Sequence, residues 1–495
     1  MPNIKEETVQ KWISEYPELL YDHASRSIYC SKCESHITAK KCNINRHVEG
    51  AVHKGTFKRP PEEFYSDLIK FLVLCNIPWS QMKNPAFKEF FQKYICTVCC
   101  CTCTSRKVPD ESLLRKVYLD KVFTNKIKTI YEKNQTEKLW ISLDETTDFL
   151  GRNIVHFLIK PLHENISNRP YLIACKMLEV VNGQTIANFV IQCLENLWQN
   201  SFEEKVDNIL ILCTDSVAYM ISAGQKLKCY LPQLKHVTCF AHALHRVSEQ
   251  IRMEYNDVDI LISNVKKIFL KAPSRVRIFK RKYPDLPLPP QPIITRWGTW
   301  LEAASYYAKH FDAIKDVLSH LCSSDAIAIR NAKNILQKEN IQNELQYIDE
   351  YFSVIPFALK ELQKHHLTLS DSFLILDTVR TCINECASEN IKNKIEKVIE
   401  RNPDIDILRE WSEKIVRNET DDQILLKCKF APMTSTEYVE RSFSIYKWIM
   451  DVKRNTLKMD NIEKLMVIYF NSVDGDGFFS EELVDDETSS STGLE

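Results

Sequence analysis

The first set of residues that could do chemistry consists of two cysteines and two histidines: Cys30, Cys33, His47 and His53. Their spacing is Cys-x2-Cys-x13-His-x5-His, and zinc prefers tetrahedral thiolate and imidazole ligands of this kind. About 40 residues cannot bury a sufficient core alone, so a structural ion would stabilise such a segment. We therefore predict a zinc finger, with His36 and Cys42 as possible substitutes among the ligands.

A second candidate site consists of acidic residues. Asp144 ends the first predicted strand of a sheet, and Asp215 directly follows the fourth. If these strands are neighbours, the two carboxylates could share Mg²⁺ or Mn²⁺ ions, which activate a water and stabilise the leaving oxygen in phosphodiester cleavage. A third acid must come from a later helix, and we choose Glu440. The acids that compete for these roles are Glu145, Asp148 and Glu437.

Basic residues are concentrated in two segments. Residues 22–60 contain eight Lys or Arg and three Asp or Glu, and residues 266–282 contain eight Lys or Arg and no acid. Such patches can neutralise DNA phosphates, or they can be solvated surfaces, with Phe269 and Phe279 in the core. The candidate DNA-binding residues are Lys40, Lys41, Arg46, Lys54, Lys58, Arg59, Lys266, Lys267, Arg275, Arg277, Lys280 and Arg281.

Hydrophobic patterning indicates the elements that must position these residues. Three apolar runs over 138–180 predict a strand meander, and the next segments predict helix, strand, helix, strand and helix up to residue 254. Residues 255–425 have an almost entirely helical pattern, and 437–470 predict one or two helices. This order is typical of an RNase H-like mixed-sheet α/β core with a large all-helical insertion.

Size and composition limit the class of protein. The chain has 495 residues, 44% hydrophobic and 26% charged residues, and a net charge of -1, which indicates several globular domains. The 18 cysteines occur largely inside apolar stretches, and neither a signal peptide nor a transmembrane segment is predicted. We expect a reducing compartment and no membrane. The cysteine-rich segment 96–103 is a loop insertion, a degenerate remnant or a second metal site.

Five motifs occur in a telling order: WISLDETTD (140–148), CTDSVAYM (213–220), CFAHALH (239–245), TRWGTW (295–300) and APMTSTEYVERSFS (431–444). Together they resemble the hAT superfamily of DNA transposases over about residues 138–470. Further motifs are YCSKC (29–33), the His-x5-His spacing (47–53), LIKFLVLCNIP (68–78), NPAFKEFF (84–91) and VPDESLLRKVYL (108–119). Through them, residues 20–125 resemble the BED-like module of the CGG triplet repeat-binding proteins, which is itself similar to the N-terminal module of hAT transposases. Both resemblances imply the same architecture.

The resemblance implies roles for individual residues. Asp144, Asp215 and Glu440 match an acidic triad that binds divalent metal. Cys239 and His242 match a Cys-x2-His pair close to the active site, although a partly buried helix face is the alternative. Trp297 matches an aromatic residue near the DNA end, although it could equally be an ordinary core aromatic.

We predict an α/β plus α fold with six segments. They are a BED-like zinc finger (1–61), a helical module (62–135), an RNase H-like core (136–254), a helical insertion (255–425), the end of the core with hAT dimerisation helices (426–470) and an acidic disordered tail (471–495). The expected function is that of a nuclear, zinc-finger, double-stranded-DNA-binding regulator derived from a hAT transposase, acting as a homo-oligomer. The alternatives are an active transposase and a non-catalytic dimerisation scaffold.

Overall fold

A computed structural model describes residues 6–23, 27–33, 35–49, 53, 62–90, 111–163, 169–292, 298–364, 367–450 and 457–472. The chain divides into two compact units, residues 1–126 with 472–495, and residues 127–471. The cysteine-rich segment 96–103 and residues 473–495 of the acidic tail lie outside the described residues.

The first unit begins with a small antiparallel sheet between two helices. Its strands, in the order β1-β2-β3, are β1 (Leu19–Asp22), β2 (Ser27–Cys30) and β3 (Ser35–Thr38). Helix α1 (Glu6–Ile13) precedes the sheet, and α2 (Lys41–Glu49) follows it. Val9, Ile28 and Ile44 are buried in a small core that these elements share.

The sequence analysis predicted no strand in residues 6–22. The structure has strand β1 at the end of this segment, where Leu19 pairs with Cys30 and Asp22 pairs with Ser27. A four-residue strand carries too little hydrophobic alternation to be recognised, and here the pairing with β2 determines its conformation.

The rest of the first unit is helical in its described residues. The helices are α3 (Glu62–Leu74), α4 (Pro85–Phe90), α5 (Glu111–Leu113) and α6 (Leu119–Asn134), the last of which continues into the second unit. A π-helical turn over Leu114–Tyr118 joins α5 to α6, so the chain is continuously helical from Glu111 to Asn134.

The second unit is built on a five-stranded mixed sheet with the order β6-β5-β4-β7-β8. Strands β4, β5 and β6 are antiparallel neighbours, whereas β7 runs parallel to β4, and β8 runs parallel to β7. Their bounds are β4 (Leu139–Thr147), β5 (Asn153–Pro161), β6 (Tyr171–Leu178), β7 (Ile209–Thr214) and β8 (Lys235–Thr238). The helices between them are α7 (Gly183–Trp198), α8 (Phe202–Lys205), α9 (Ala218–Leu227) and α10 (Phe240–Glu254).

Both faces of this sheet are buried, which explains the continuous apolar runs of its strands. On one face, Ile141, Leu143 and Phe157 pack with residues of α7 and α9 in a single hydrophobic cluster. On the other face, Trp140 and Ile211 belong to a larger cluster with α10 and the helical insertion. The sequence therefore predicted the order of these elements correctly.

The helical insertion follows directly on α10. Its helices are α11 (Asn256–Phe269), α12 (Pro273–Lys282), α13 (Thr299–Lys309), α14 (Phe311–Ser319), α15 (Ile327–Leu336), α16 (Ile341–Phe352), α17 (Val354–Leu362), α18 (Leu369–Asn384), α19 (Glu389–Glu400), α20 (Ile405–Val416) and α21 (Gln423–Cys428). The chain then returns to the sheet with α22 (Thr436–Ile449) and α23 (Met459–Phe470). Across the described residues, no helix combines the length and apolar character needed to span a membrane.

Side-chain hydrogen bonds to the strand backbone close the β8 edge of the sheet. Asp404, just before α20, accepts a hydrogen bond from His236 N–H at 2.6 Å. Asn402 exchanges two hydrogen bonds with the Thr238 backbone, at 2.9 and 3.0 Å. These bonds satisfy groups that an open edge strand would expose, and they tie the insertion to the core.

One buried side chain connects the centre of the sheet to the segment before α22, and we predict that its removal weakens the fold. The Trp140 indole N–H donates to Pro432 O at 3.0 Å, and Trp140 is fully buried. Trp140→Phe leaves that carbonyl without its donor, so we expect the free energy of unfolding to fall by about 1–3 kcal/mol. Urea unfolding measures this change.

The matched control is Phe357→Leu, because Phe357 is 63% exposed. We expect this substitution to change stability by no more than about 0.5 kcal/mol. Equal stability of the two variants would contradict the anchoring role of Trp140.

Candidate functional site

The four predicted zinc ligands meet in the first unit. The ligand atoms of Cys30, Cys33, His47 and His53 all lie within 4.8 Å of one another. Cys30 ends β2, Cys33 lies in the following turn, His47 lies on α2, and His53 follows that helix. The group has the ligand types and the spacing that could hold a metal ion such as zinc.

The distances agree with tetrahedral zinc. His53 Nδ1 lies 3.5 Å from Cys30 Sγ and 3.6 Å from Cys33 Sγ. Zn–S and Zn–N bonds of about 2.3 and 2.0 Å, meeting at a tetrahedral angle, place sulfur and nitrogen about 3.6 Å apart. The two substitute ligands are not members of the group: His36 lies on β3 beside Ser27, and Cys42 is exposed on α2.

Helix α2, which carries His47, has a basic outer face. Ile44 points into the small core, whereas Lys40, Lys41 and Arg46 are exposed at or near the start and middle of α2. Lys54, Lys58 and Arg59, which were also predicted to bind DNA, lie outside the described residues. The described cations form a positively charged surface on the element that carries His47.

The second basic stretch surrounds a buried aromatic pair. Phe269 and Phe279 are buried against each other with ring centroids 5.6 Å apart, as the alternative interpretation expected. Three of the cations donate to main-chain carbonyls: Lys266 to Pro292, Arg275 to Ile268, and Lys280 to Pro284 and Leu286. Most of the charge of the stretch remains at the surface, because six of its eight cations are exposed: Lys267, Lys271, Arg277, Lys280, Arg281 and Lys282.

The central strands bring two of the predicted acids to one end of the sheet. Ser142 and Cys213 form the last parallel pair of β4 and β7, and Asp144 and Asp215 each follow two residues later. Strand β4 continues to Thr147, so Asp144 lies inside the strand rather than at its end. Glu440 lies on α22, and its electrostatic interactions include Asp144 and His242.

The pKa values show how crowded these charges are. Burial raises the pKa of Asp144 to about 6; His242 opposes this shift, and Asp215 adds to it. Loss of surrounding water raises the pKa of Glu440 to about 7, an effect that His242 reduces and Asp144 increases. His242 Nε2 lies 3.9 Å from Asp144 Oδ2. A cation would relieve the repulsion between these carboxylates.

The acids do not form a tight cage for a single ion. Among the described residues, only the group of Cys30, Cys33, His47 and His53 brings three or more metal-ligating atoms within 4.8 Å of one another. Asp215 instead accepts two hydrogen bonds from Arg246 on α10, at 2.9 and 3.2 Å. The competing acids are also engaged: Glu145 accepts from Tyr219 at 2.9 Å, and Asp148 pairs with Arg152 and Tyr446.

Cys239 and His242 lie beside this acidic site. Burial alone would raise the pKa of the fully buried Cys239 thiol, but hydrogen bonds with Cys213 and His242 lower it well below the ordinary value. Burial would likewise lower the pKa of His242, and its contacts with Cys239 and the acids raise it to about 9. Both pKa shifts are in the direction that favours the charged forms of these two side chains beside Asp144.

Cys239 also fixes the segment that precedes α22. Its Sγ accepts a hydrogen bond from Ser435 N–H and lies 3.5 Å from Thr434 Oγ1. The next residue, Phe240, donates its N–H to Met433 O at 2.9 Å. These contacts fix the segment directly before α22, and therefore the position of Glu440 on that helix.

Two residues with clear roles were missed in the sequence. Arg246 pairs with Asp215, and it lies one helical turn after His242, a spacing that could have indicated it. Glu18 contacts His53 across 35 residues, and no local pattern signals that contact. Trp297 and the side chain of Glu437 lie outside the described residues, and the catalytic assignment of the acids stays a prediction.

Comparison with known proteins gives one match. A family model described as a domain of unknown function (DUF659) matches residues 109–272, about a third of the chain, including Asp144, Asp215 and His242. The match supports a relation of this region to hAT-type transposases. No curated protein matches the chain.

The raised pKa of Asp144 predicts a pH dependence of stability. Its ordinary pKa is 3.8 and its folded pKa about 6, so the folded state is stabilised by the protonated acid below pH 3.8 and loses that stability as the pH rises through 6. Asp144→Asn removes the buried charge. In buffers without Mg²⁺ or Mn²⁺, we expect it to raise the free energy of unfolding at pH 7.5 by about 1–3 kcal/mol, with no gain near pH 4.

Urea unfolding at the two pH values measures the effect. Asp325→Asn is the control, because Asp325 is exposed and its substitution should leave stability nearly unchanged at both pH values. A loss of stability in Asp144→Asn at pH 7.5 would show that the carboxylate is better satisfied than its surroundings indicate.

Proposed function

We propose that this chain is a double-stranded-DNA-binding protein derived from a hAT transposase, with the Cys30, Cys33, His47 and His53 group as its zinc finger. The observation that carries the proposal is the meeting of these four ligands beside a basic helix. Zinc would supply the stabilisation that the small core lacks, and the finger helix would enter a groove of the DNA.

The exposed cations of the finger explain how it would hold DNA. Lys40, Lys41 and Arg46 are exposed, whereas Ile44 is buried in the small core. The three cations can therefore contact phosphates without disturbing that core. Phosphate contacts of this kind supply affinity and orientation, and a few base contacts supply specificity. The site that the finger recognises follows from those base contacts.

The larger unit would be the transposase-derived body. The mixed sheet order β6-β5-β4-β7-β8 supports the RNase H-like core that the motifs imply. The DUF659 match, which spans all five strands, supports the relation to hAT transposases. In this proposal α22 and α23 act in homo-oligomerisation, as the final motif implies, and the protein regulates transcription in the nucleus.

The test of DNA binding uses the full-length, zinc-loaded chain and duplexes selected from a random pool. We expect the double variant Lys41→Ala/Arg46→Ala to bind at least about tenfold more weakly and to reduce the salt slope of log K by about 2, since two phosphate contacts are lost. Fluorescence anisotropy at several salt concentrations measures both.

The matched control removes two exposed cations from the helical insertion, Arg330→Ala/Arg401→Ala, and should leave affinity and slope unchanged. If both double variants lose affinity equally, binding is a property of overall charge rather than of the finger. If no duplex is bound at all, the dimerisation scaffold becomes the better proposal.

A second candidate function is metal-dependent DNA cleavage and strand transfer. The observation that favours it is the crowding of Asp144 and Glu440 around His242, with raised pKa values that a cation would lower. Asp144, Asp215 and Glu440 offer the hard oxygen ligands that Mg²⁺ or Mn²⁺ prefers. Such ions activate a water and stabilise the leaving oxygen. To act as a ligand, Asp215 would have to loosen its pair with Arg246.

Nicking of DNA that carries the inverted repeats flanking the coding region tests this candidate. We expect any Mg²⁺-dependent or Mn²⁺-dependent nicking to fall at least about 100-fold in Asp144→Ala, because a ligand is lost, and to persist in Asp325→Ala. Nicking that survives Asp144→Ala would contradict the triad, and absence of nicking by the native chain would leave the regulatory proposal.

A further inference from the structure

Glu18 contacts His53, one of the four candidate zinc ligands, from outside their group. Its Oε1 lies 2.6 Å from His53 Nε2, and the His53 side chain is 5% exposed, so almost no water competes for that nitrogen. Glu18 directly precedes β1, and its carbonyl accepts hydrogen bonds from the N–H and the hydroxyl of Ser31. The carboxylate is therefore held beside the turn that carries Cys33.

The two nitrogens of the His53 ring have different surroundings. Nδ1 faces both thiols, at 3.5 and 3.6 Å, which is the separation of two ligands on one tetrahedral zinc. Nε2 faces the carboxylate of Glu18 on the opposite side of the ring. A neutral imidazole has one donor and one acceptor nitrogen, so a proton on Nε2 leaves Nδ1 free to bind a metal.

We propose that Glu18 is a positioning residue of the zinc site, which fixes His53 in the tautomer that binds zinc through Nδ1. This inference rests on the proposed zinc finger and deepens it. Carboxylates that accept the second N–H of a metal-bound histidine orient the ring and increase its basicity as a ligand. Glu18 directly precedes β1, so the same contact couples metal binding to this strand, which the sequence analysis did not predict.

The coupling has a physical consequence for the finger. His53 follows α2 in the chain, and its ring reaches back to β1 and to the turn after β2. The metal would join Cys30 and Cys33 to the two histidines, while Glu18 joins His53 to the sheet. Loss of Glu18 should therefore weaken zinc binding without removing any ligand.

The first test measures the zinc affinity of the full-length chain by competition with a chromogenic chelator. We expect Glu18→Ala to weaken zinc binding about 10-fold to 100-fold, the usual cost of losing such a partner. Glu18→Gln, whose amide oxygen can still accept the N–H, should lose less. Glu15→Ala is the matched control, because Glu15 is an exposed acid of the same segment, and it should bind zinc as the native chain does.

The second test identifies the nitrogen that binds zinc, and its readout comes from the native chain, so it does not depend on the folding of the Glu18 variants. The native full-length chain is labelled with ¹⁵N in its histidine side chains, and the ring signals are compared with and without zinc, with His53→Cys assigning the residue. We expect the Nδ1 signal of His53 to shift to the metal-bound range while Nε2 stays protonated. Binding through Nε2 would overturn the proposal.

The outcomes separate this inference from the finger itself. A native chain that binds no zinc contradicts both the proposed function and the role of Glu18. A chain that binds zinc with the same affinity in Glu18→Ala as in Glu15→Ala contradicts only the role of Glu18. If Glu18→Ala does not fold, the ring signals of the native chain decide the question.

Discussion

The parallel pairing of β4 with β7 is the interaction on which the larger unit depends. It connects the antiparallel meander to the helix-linked strands, and Ser142 Oγ reinforces it by donating to Cys213 O at 2.8 Å. The register of this pairing places Asp144 and Asp215 two residues beyond the last parallel pair, Ser142 with Cys213. The charge of Asp215 contributes to the raised pKa of Asp144, so the register brings the two carboxylates within electrostatic reach of each other.

In the chain, the helical insertion lies between the strands of the sheet and the helix that carries Glu440. The chain leaves the core after α10, folds into the helical insertion and returns through residues 432–435. Trp140 and Cys239 each bind that returning segment, one from the sheet and one from the start of α10. Glu440 is thus positioned by buried contacts that act on the segment before its helix. The first unit has a small core, because its sheet and two helices enclose few apolar residues. A metal ion bound by the Cys30, Cys33, His47 and His53 group would supply the stabilisation that such a core lacks.

Much of this organisation could be predicted from the sequence because its signals are local. The spacing of Cys30, Cys33, His47 and His53, the apolar runs of β4, β5 and β7 and the helical periodicity of the insertion each lie within short stretches. The features that were missed depend on distant pairs. Strand β1 exists through its pairing with β2, and Arg246 meets Asp215 only after the sheet has formed. The main-chain carbonyls that Lys266 and Lys280 contact are likewise not revealed by periodicity.

We propose above all that this chain binds DNA through its zinc finger, and that the bound metal ion is required for the finger to fold. The most direct measurement is a titration of zinc into metal-free, full-length protein, with zinc occupancy and duplex affinity followed in the same samples. The account predicts that the two curves coincide, with one zinc per chain restoring DNA binding and with Cys33→Ala restoring neither. DNA binding of equal strength in the metal-free and zinc-loaded protein would contradict it.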